Sequence, residues 1–476
     1  MTNTIHLTNT FAVFDGPARY AVSKLLSYRK KGYQFSRAYK RGNWDGWVHL
    51  MSNSGRFAAG LAPWVTKRLA QQGIEVAIDD LRPPPLPQQV ELTALTSHIE
   101  FRPHQLDALA AAEQSERGII HHPTAAGKTV VMCEVARRVG RKGLVLVHRK
   151  DLMYQTADQF VKQLGLPRDQ EVVGVIGDGL WHPAIITVAT FQTLYLRLKE
   201  GVGIDRWLRE EIGQVHVDEA HHLPAESYEL VMACLSSARW RYGYSATPYK
   251  EGDPETFFKV ASWLGPTIHH VPAEELTEAG RLVPADVFMV RQPAPSTIAY
   301  ANYQDAVTFG LVENGVRNGM IVDLARRLEQ SKTGPVVILV ERLAHGETLA
   351  RALKTDFVAG NAPTGYRSAA WEGLRNGRLN LLVTSRIADE GLDIPPLTYL
   401  IMAGGGQAPH LTIQRVGRGM RLSNEKERLF VFDFLDQGRY LDRHAKRRLR
   451  TYQEQPAYNV SEVYLEEVLP PLGGTP

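Results

Sequence analysis

The sequence predicts an α/β protein in which two tandem parallel-sheet domains follow a small basic α+β domain. Three observations predict this class. Short apolar, β-branched runs without polar alternation recur with helical patterns between them, which is typical of parallel strands buried on both faces. This rhythm pauses near residues 250–320 and then resumes. Basic residues concentrate at the front, where the first 99 residues hold twelve Lys and Arg against six Asp and Glu.

Length and composition indicate a globular chain of two to four domains, with 476 residues, 44% hydrophobic and 22% charged. No apolar run of about 18 residues occurs, and the first residues lack a signal-peptide pattern. We therefore expect a cytoplasmic protein without a membrane segment. Cys133 and Cys234 are too few for a disulfide framework or a zinc cluster. Adjacent histidines at 121–122, 221–222 and 269–270 do not easily share one metal.

We place the domain boundaries where composition and rhythm change. Residues 81–98 contain four prolines and cannot continue a helix, so we expect a stiff linker there. The predicted divisions are the N-terminal domain 1–90, the linker 91–99, the two parallel-sheet domains 100–275 and 276–455, and a tail or edge element 456–476.

Within the N-terminal domain, patterning predicts a strand near 5–14 and a helix near 17–31. We expect a hairpin through 47–50 and 56–60, a helix near 63–72 and a strand at 74–79. Eleven basic residues and a single acid, Asp45, lie between Arg19 and Arg68, with Trp44 and Trp47 among the interleaved aromatic residues. Cations for phosphates beside aromatic rings for bases suit a nucleic-acid surface. The alternative is a small aromatic core with a charged exterior.

Residues 121–130, HHPTAAGKTV, follow an apolar strand and precede a helical pattern that ends at Gly140. A loop between a strand and a helix directs backbone N–H groups and the helix dipole at an anion. We expect nucleotide phosphates here, with Lys128 at the terminal phosphates and Thr129 at Mg²⁺. Gly-Lys-Thr also arises by chance in chains this long. The residues predicted to surround the phosphates are Thr124, Ala125, Ala126, Gly127, Lys128 and Thr129.

Asp218 and Glu219 stand at the carboxyl end of a predicted buried strand, in the string VHVDEAHH. An aspartate there can hold Mg²⁺, and the adjacent glutamate can polarise an attacking water. With the glycine loop about ninety residues upstream, this string resembles motif II of the superfamily 2 helicases, of the DEAH type. The resemblance implies two RecA-like motor domains that use ATP and Mg²⁺. Ala125 stands where many of these loops have glycine, so we expect altered loop geometry with binding retained.

Further motifs of that superfamily follow in its order. FRPHQ resembles the adenine-recognition element, which implies contact through Gln105 and Arg102. LVLVHRKDLMYQ and VATFQTL resemble strand-binding motifs, which implies backbone contacts from Arg149 and Thr190, and SATP resembles the coupling motif. LLVTSRIADEGLDIP resembles motif V, which places Thr384 near DNA. In that motif and in QRVGRGMR, which resembles motif VI, the residues expected near the nucleotide are Gly391, Asp393, Gln414, Arg418 and Arg421.

The N-terminal stretch GYQFSRAYKRGNWDGWVHLM resembles the phage UvsW branched-DNA helicase family. This implies an ATP-driven enzyme that regresses forks, migrates Holliday-type junctions and unwinds R-loops in phage replication, recombination and repair. The expected partners are forks, four-way junctions and RNA–DNA hybrids, bound by a monomer in the host cytoplasm. Arg41, Trp44 and Trp47 are the candidate DNA contacts of this domain.

Other functions remain open at this point. The same motifs serve RNA helicases and the motor subunits of restriction systems. From another class, the chain could be an ATP-gated clamp or strand-annealing factor that hydrolyses ATP without productive unwinding. The basic segment 439–452 fits a phosphate contact and a solvated helix face equally well.

Overall fold

The computed structural model describes residues 2–95, 99–124, 126–166, 171–201, 203–223, 226–249, 252–292, 300–359, 362–385, 397–406, 416, 420 and 428–467. The chain divides into two compact units. The first contains residues 1–123 and 127–271, and the second contains residues 124–126 and 272–476. The predicted boundaries at 90, 99, 275 and 455 stay predictions.

The N-terminal module, residues 2–80, is built on a four-stranded sheet with a separate two-stranded ribbon among the described residues. The sheet order is β5-β2-β1-β6, in which β1 pairs antiparallel with β2 and parallel with β6. The ribbon pairs β3 with β4. The strands are β1 Thr4–Leu7, β2 Phe11–Asp15, β3 Ser27–Arg29, β4 Trp47–His49, β5 Arg56–Ala58 and β6 Ala77–Asp80. The helices are α1 Arg19–Leu25, α2 Arg37–Lys40 and α3 Ala62–Ala70, with 3₁₀ turns at Tyr33–Phe35 and Ala59–Leu61.

Three predictions for this module were wrong. The single strand expected near 5–14 is a hairpin, because the backbone N–H and hydroxyl of Thr8 both donate to the carbonyl of Phe11 and close a turn. The helix expected near 17–31 ends at Leu25. Its expected last turn is β3, where Tyr28 is buried against Phe258 of a distant helix. The segment 47–50 therefore pairs with β3 and not with 56–60.

The first unit also contains a sheet of eight strands within the described residues, in the order β10-β9-β11-β8-β12-β13-β7-β14. β10 pairs antiparallel with β9, and the other recorded pairs are parallel. The strands are β7 Arg117–His121, β8 Gly143–Val147, β9 Val173–Gly177, β10 Leu180–His182, β11 Ile186–Thr190, β12 Gln214–Asp218, β13 Trp240–Ser245 and β14 Thr267–His270.

Helices cover both faces of this sheet, as the unbroken apolar strands predict. One core contains Leu109, Met132 and Phe160 from the helices on one face, and the other contains Leu194 and Leu264 from the opposite face. The helices are α4 Val90–Thr93, α5 Pro103–Gln114, α6 Lys128–Val139, α7 Lys150–Gln163, α8 Phe191–Glu200, α9 Ile204–Glu210, α10 Glu226–Cys234 and α11 Pro254–Leu264, with a 3₁₀ turn at Ala220–His222.

The second unit has a sheet of seven strands within the described residues, in the order β17-β18-β16-β19-β20-β15-β21, with parallel pairs. The strands are β15 Ala285–Arg291, β16 Val336–Leu339, β17 Phe357–Val358, β18 Leu381–Thr384, β19 Tyr399–Met402, β20 Leu429–Leu435 and β21 Tyr458–Val463. The helices are α12 Ala273–Glu278, α13 Tyr303–Val307, α14 Gly315–Ser331, α15 Leu343–Leu353, α16 Thr364–Arg375 and α17 Leu441–Gln453, with a π-helical turn at Thr308–Val312 and a 3₁₀ turn at Leu465–Glu467. Residues 458–463 thus form an edge strand of this sheet.

The proline-rich connection, residues 81–98, is held against the surface of the first unit by the contacts of its described residues. Arg82 forms ion pairs with Asp80 and Glu116. The N–H of Gln89 donates to the carbonyl of Gly140 at 2.7 Å, and α4 buries Leu92 in the core of the eight-stranded sheet. The connection therefore carries a helical turn of its own and packs against the surface of this unit.

The N-terminal module packs on α11 of the same unit. Phe258 and Ala261 belong to the hydrophobic core of the module, and the Tyr28 ring stacks on Phe258 with centroids 5.6 Å apart. A Cβ on Gly60 would lie 2.2 Å from the carbonyl oxygen of Ala261, so the two backbones are in direct contact. The buried Arg117 donates to the carbonyl of Asn9 at 3.1 Å. These contacts make the module one body with the eight-stranded sheet.

Candidate functional site

The glycine loop, residues 122–127, lies between β7 and α6. Gly127 has φ of +81°, a conformation that favours glycine. A Cβ at this position would also lie 2.3 Å from the side-chain nitrogen of Gln105. The side-chain oxygen Oε1 of Gln105 in turn accepts from the backbone N–H of Arg102 at 3.0 Å. The fold therefore brings the predicted adenine-recognition residues to the predicted phosphate loop, and only glycine fits between them.

Lys128 begins α6 at the mouth of this loop. Its Nζ lies 3.4 Å from the carbonyl oxygens of both His122 and Pro123. Thr129 is half-buried in the first turn of the helix, and Ala126 is fully buried. A lysine ammonium and the N-terminal N–H groups of a twelve-residue helix provide positive charge at one place. These residues fit a nucleotide phosphate.

Asp218 and Glu219 lie at the carboxyl edge of the same sheet. Asp218 is the last residue of β12, and its Oδ1 accepts from the N–H of Glu219 at 3.0 Å. Burial, followed by the Glu219 charge, raises the pKa of Asp218, while Lys128 and the Glu219 N–H oppose this shift. Two adjacent carboxylates opposite a lysine are a donor set that suits a divalent cation with phosphate. The residues present therefore fit Mg²⁺ and a nucleotide.

Glu219 has a left-handed backbone, with φ of +48° and ψ of +57°. Its carboxylate Oε2 lies 3.3 Å from Nδ1 of His221 and 3.5 Å from the Ser245 hydroxyl. His221 Nδ1 and Ser245 Oγ are 3.1 Å apart, and Ser245 Oγ also accepts from the N–H of Thr247 at 3.2 Å. A non-glycine residue in this conformation is strained, and such strain often marks a functional position. The network links the end of β12 to the segment SATP, which begins at the last residue of β13.

Histidine pairs lie at the base of the glycine loop. Nε2 of His122 lies 2.8 Å from Nδ1 of His269, and the rings of His121 and His270 have centroids 4.3 Å apart. Burial lowers the pKa of His122 to about 2 and that of His121 to about 4. Within the described residues, no group of three or more His, Cys, Asp or Glu is arranged to hold a metal ion. The ring contacts join the end of β7 and the residue after it to β14.

The predicted strand-contact residues lie in different environments. Arg149 is exposed at the start of α7. Thr190 is buried, with its hydroxyl 2.8 Å from that of Thr193. Thr384 is fully buried in the second unit, and its hydroxyl donates to the carbonyl of Val358 at 3.0 Å. A side-chain contact between Thr384 and DNA would require that bond to break.

In the N-terminal module, Arg41 and Trp47 are exposed and Trp44 is half-buried. The two tryptophans line one cleft, together with residues that sequence reasoning had not singled out as contacts. The additional charged and aromatic residues of this cleft are Lys30, Lys31, Tyr33 and Phe35.

Several predicted site residues lie outside the described residues, and their roles stay predictions. Within motif VI, Val416 and Met420 are described, and both are buried. In the described part of the chain, no helix is both long and apolar enough to cross a bilayer. The predicted site residues outside the described ranges are Ala125, Gly391, Asp393, Gln414, Arg418 and Arg421.

Three family models match separate parts of this chain. Residues 15–79 match the model "DNA helicase UvsW, N-terminal", and residues 98–250 match "Type III restriction enzyme, res subunit". Residues 319–423 match "Helicase conserved C-terminal domain". The matches therefore fall on the N-terminal module and on both parallel-sheet units.

Two curated relatives and one solved structure extend these matches. "Putative DNA 3'-5' helicase Rad25" of Halobacterium salinarum is 30% identical over 367 residues, which cover 76% of this chain and 58% of the relative. This chain thus spans less than two thirds of that relative. "ATP-dependent DNA helicase uvsW" of Enterobacteria phage T4 is 23% identical over 445 residues, which cover 86% of this chain and 85% of the relative.

The solved structure is Dbp5 of S. cerevisiae bound to RNA and ADP BeF3. It superposes with a TM-score of 0.54 at 13% identity and covers 82% of this chain and 100% of Dbp5. At that identity the likeness concerns the fold alone, and it confirms the predicted pair of RecA-like domains. The family-model matches fall on the module and on both units, so the chain is similar to superfamily 2 helicases along most of its length.

Proposed function

We propose that the chain is an ATP-dependent DNA helicase and translocase that remodels branched DNA. The proposed reactions are fork regression, branch migration of four-way junctions and unwinding of RNA–DNA hybrids. We place them in phage replication, recombination and repair, carried out by a monomer in the host bacterial cytoplasm.

One observation carries the proposal. Lys128, Asp218 and Glu219 gather at the carboxyl edge of one sheet, and the basic N-terminal module is packed on that same unit. The names of the archaeal and phage relatives, both DNA helicases, support DNA as the substrate. The match of residues 15–79 to a UvsW N-terminal model supports a branched form of DNA.

In the proposed reaction, Lys128 and the first N–H groups of α6 bind the phosphates, and Gln105 contacts the base beside Gly127. Thr129 and Asp218 would hold Mg²⁺, which supplies positive charge to the phosphates when bound. Glu219 orients the attacking water and accepts its proton. His221 lies 3.3 Å from the Glu219 carboxylate and fixes its direction.

The proposed role of Ser245 is to transmit the state of this site. It touches Glu219 and His221 on one side and accepts from the Thr247 N–H on the other. A change at the Glu219 carboxylate therefore reaches the segment after β13 through two hydrogen bonds. The N-terminal module, fixed to this unit through Phe258 and Gly60, holds a second arm of the DNA.

A substrate panel tests this function. Forks, four-way junctions, tailed duplexes and RNA–DNA hybrids are incubated with the protein, ATP and Mg²⁺, and ATP hydrolysis and strand separation are read together. The proposal predicts turnover of forks and junctions in preference to tailed duplexes. Hydrolysis and junction binding without strand separation on any branched substrate would identify an ATP-gated clamp instead.

A further inference from the structure

The N-terminal module has an open cleft of about 480 Å³ on its surface. The cleft lies between β4 and the turn at residues 30–36, and its walls include Tyr33, Phe35, Trp44 and Trp47. Its volume is within the range of roughly 300–1,000 Å³ that is typical of sites for small molecules. One aromatic ring system fits inside such a space.

The walls of this cleft are held in place by the fold. The indole N–H of Trp44 donates to the carbonyl of Trp47 at 2.7 Å, and the N–H of Lys30 donates to the carbonyl of Gly46 at 2.9 Å. Gly46 has φ of +86°, and a Cβ there would lie 2.7 Å from the Tyr33 ring. The turn therefore packs tightly on Tyr33, and ligand binding would cost little ordering entropy.

The charge of the cleft favours an anionic ligand. In the part of the chain that the structure describes, no ion pair is recorded for Lys30 or Lys31, which both line the cleft. Asp45 is the single acid between residues 19 and 68, and its carboxylate accepts from the Trp47 N–H at 2.9 Å. Asp45 does not line the cleft, so Lys30 and Lys31 are the charged residues of its walls.

Two rings in this cleft meet solvent. Phe35 is 75% exposed and Trp47 is 41% exposed. Exposed aromatic faces beside lysines are the combination that stacks bases and contacts phosphates in single strands. A continuous duplex keeps its base faces stacked inside and offers them to a protein only at ends, gaps and branch points.

We propose that this cleft binds an unpaired nucleobase of branched DNA. The base stacks against Phe35 and Trp47, and Lys30 and Lys31 contact the flanking phosphates. This deepens the proposed function and rests on it, since it specifies what the module holds at a junction.

The cleft lies next to a strand that packs on the first unit. Lys30 directly follows β3, whose Tyr28 stacks on Phe258 of α11 in the first unit. A base in the cleft is therefore held at a fixed distance from the sheet that carries Lys128 and Asp218. When the first unit moves along one DNA strand, the two strands would therefore separate at a fixed distance from the nucleotide site.

The test measures binding of the full-length protein to a fluorescein-labelled fork without ATP. Phe35→Ala and Trp47→Ala should each weaken fork binding on the order of tenfold, as expected for loss of a base stack. Trp47→Phe should recover most of the affinity, because it restores an aromatic face. Tyr20→Ala is the matched control, since Tyr20 is 82% exposed on the same module but does not line the cleft. Thermal unfolding of each variant establishes that it is folded.

An abasic scan of the fork identifies the bound base. At one position near the branch point, removing the base should weaken wild-type binding by a similar factor and cause no further loss in Phe35→Ala. Strictly additive losses, or equal losses on a blunt continuous duplex or on heparin, would overturn the proposal in favour of a general polyanion surface. Because this test needs no ATP, it is independent of whether wild-type protein moves a junction, which decides the proposed function.

Discussion

Nδ1 of His221 lies 3.1 Å from the hydroxyl oxygen of Ser245, which joins the end of β12 to the end of β13. The register of the two strands, in which Asp218 stands opposite Tyr244, brings these residues together. Glu219 shares both partners, at 3.3 Å from His221 and 3.5 Å from Ser245. The Glu219 carboxylate is thus connected through His221 and Ser245 to the end of the neighbouring strand.

Ser245→Ala should separate ATP hydrolysis from movement on DNA. A hydrogen bond with a charged partner is worth ~1.5–3 kcal/mol, so strand displacement should fall about tenfold. Hydrolysis should fall much less, because Lys128 and Asp218 are untouched. Parallel ATPase and strand-displacement assays measure the ratio. Ser237→Ala, before the opposite end of β13, is the control, and an equal fall in both activities would refute the coupling role.

Arg448→Met should strongly destabilise the second unit. The Arg448 guanidinium is buried and contacts Asp433 at 2.8 Å and Asp436 at 3.3 Å. Removing the cation leaves the buried Asp433 without a counter-charge, while Asp436 keeps Arg317, and loss of one partner of a buried pair costs about 3–5 kcal/mol. Denaturant unfolding gives the value. Arg447→Met, one residue earlier and exposed, should change stability little, and similar values for the two variants would contradict a structural role for this network.

The structure of α17 resolves alternatives that the sequence alone left open. The basic segment 439–452 fits a phosphate contact and a solvated face equally, and the structure divides it between roles. Arg448 belongs to a buried network, while Arg443, Lys446 and Arg447 remain exposed. Helical spacing places residues on one face, but the acids that Arg448 contacts, Asp433 in β20 and Asp436 just after it, are brought there by tertiary packing.

Gly60→Ala should weaken the attachment of the N-terminal module. The added Cβ would lie 2.2 Å from the carbonyl oxygen of Ala261 and 2.5 Å from that of Ser262, backbone atoms that cannot rotate away. We expect a loss of ~1–3 kcal/mol in unfolding free energy, as for other overpacked contacts. Limited proteolysis should also cut the module faster.

The matched control for this change is Gly319→Ala. Gly319 lies within α14, and its added Cβ would meet open space, so stability should hold or rise. An unchanged denaturation midpoint and cleavage rate in Gly60→Ala would show that the module is attached by other contacts.

His345→Gln should make the second unit less sensitive to acid. His345 is buried, its Nε2 lies 2.9 Å from Oδ1 of Asn318, and burial followed by the Arg317 charge lowers its pKa to about 3. The unfolded chain takes up the proton near pH 6.5 and the folded chain does not. Stability is therefore complete above pH 6.5 and is lost between pH 6.5 and 3, at up to ~1.4 kcal/mol per pH unit.

Unfolding free energies at pH 7.5 and pH 5.5 test this sign. Between these values the wild type should lose about 1 kcal/mol more than His345→Gln, because the amide cannot take up a proton. The exposed His182→Gln is the control. If wild type and His345→Gln lost equal unfolding free energy between these pH values, the His345 imidazole would not be a cause of the acid sensitivity.

The sequence predicted the parallel sheets well, because buried strands are continuous apolar runs and their ends are marked by polar residues such as Asp218 and Thr384. It missed the ribbon of β3 and β4. Strands of three residues show no periodicity, and this ribbon depends on Tyr28 packing against Phe258, which is remote in sequence. The Glu219, His221 and Ser245 network was likewise invisible as a unit, since strand register creates it.

In the proposed function, ATP turnover at Lys128 drives remodelling of branched DNA, and a labelled four-way junction tests this most directly. Native gels would follow its conversion to products with wild-type protein, with Lys128→Ala and with the exposed Lys162→Ala as control. We predict conversion that requires ATP, is retained in Lys162→Ala and falls at least about a hundredfold in Lys128→Ala, which loses its phosphate-binding cation. A junction that stays intact with wild-type protein and ATP, or one converted equally by Lys128→Ala, would contradict the account.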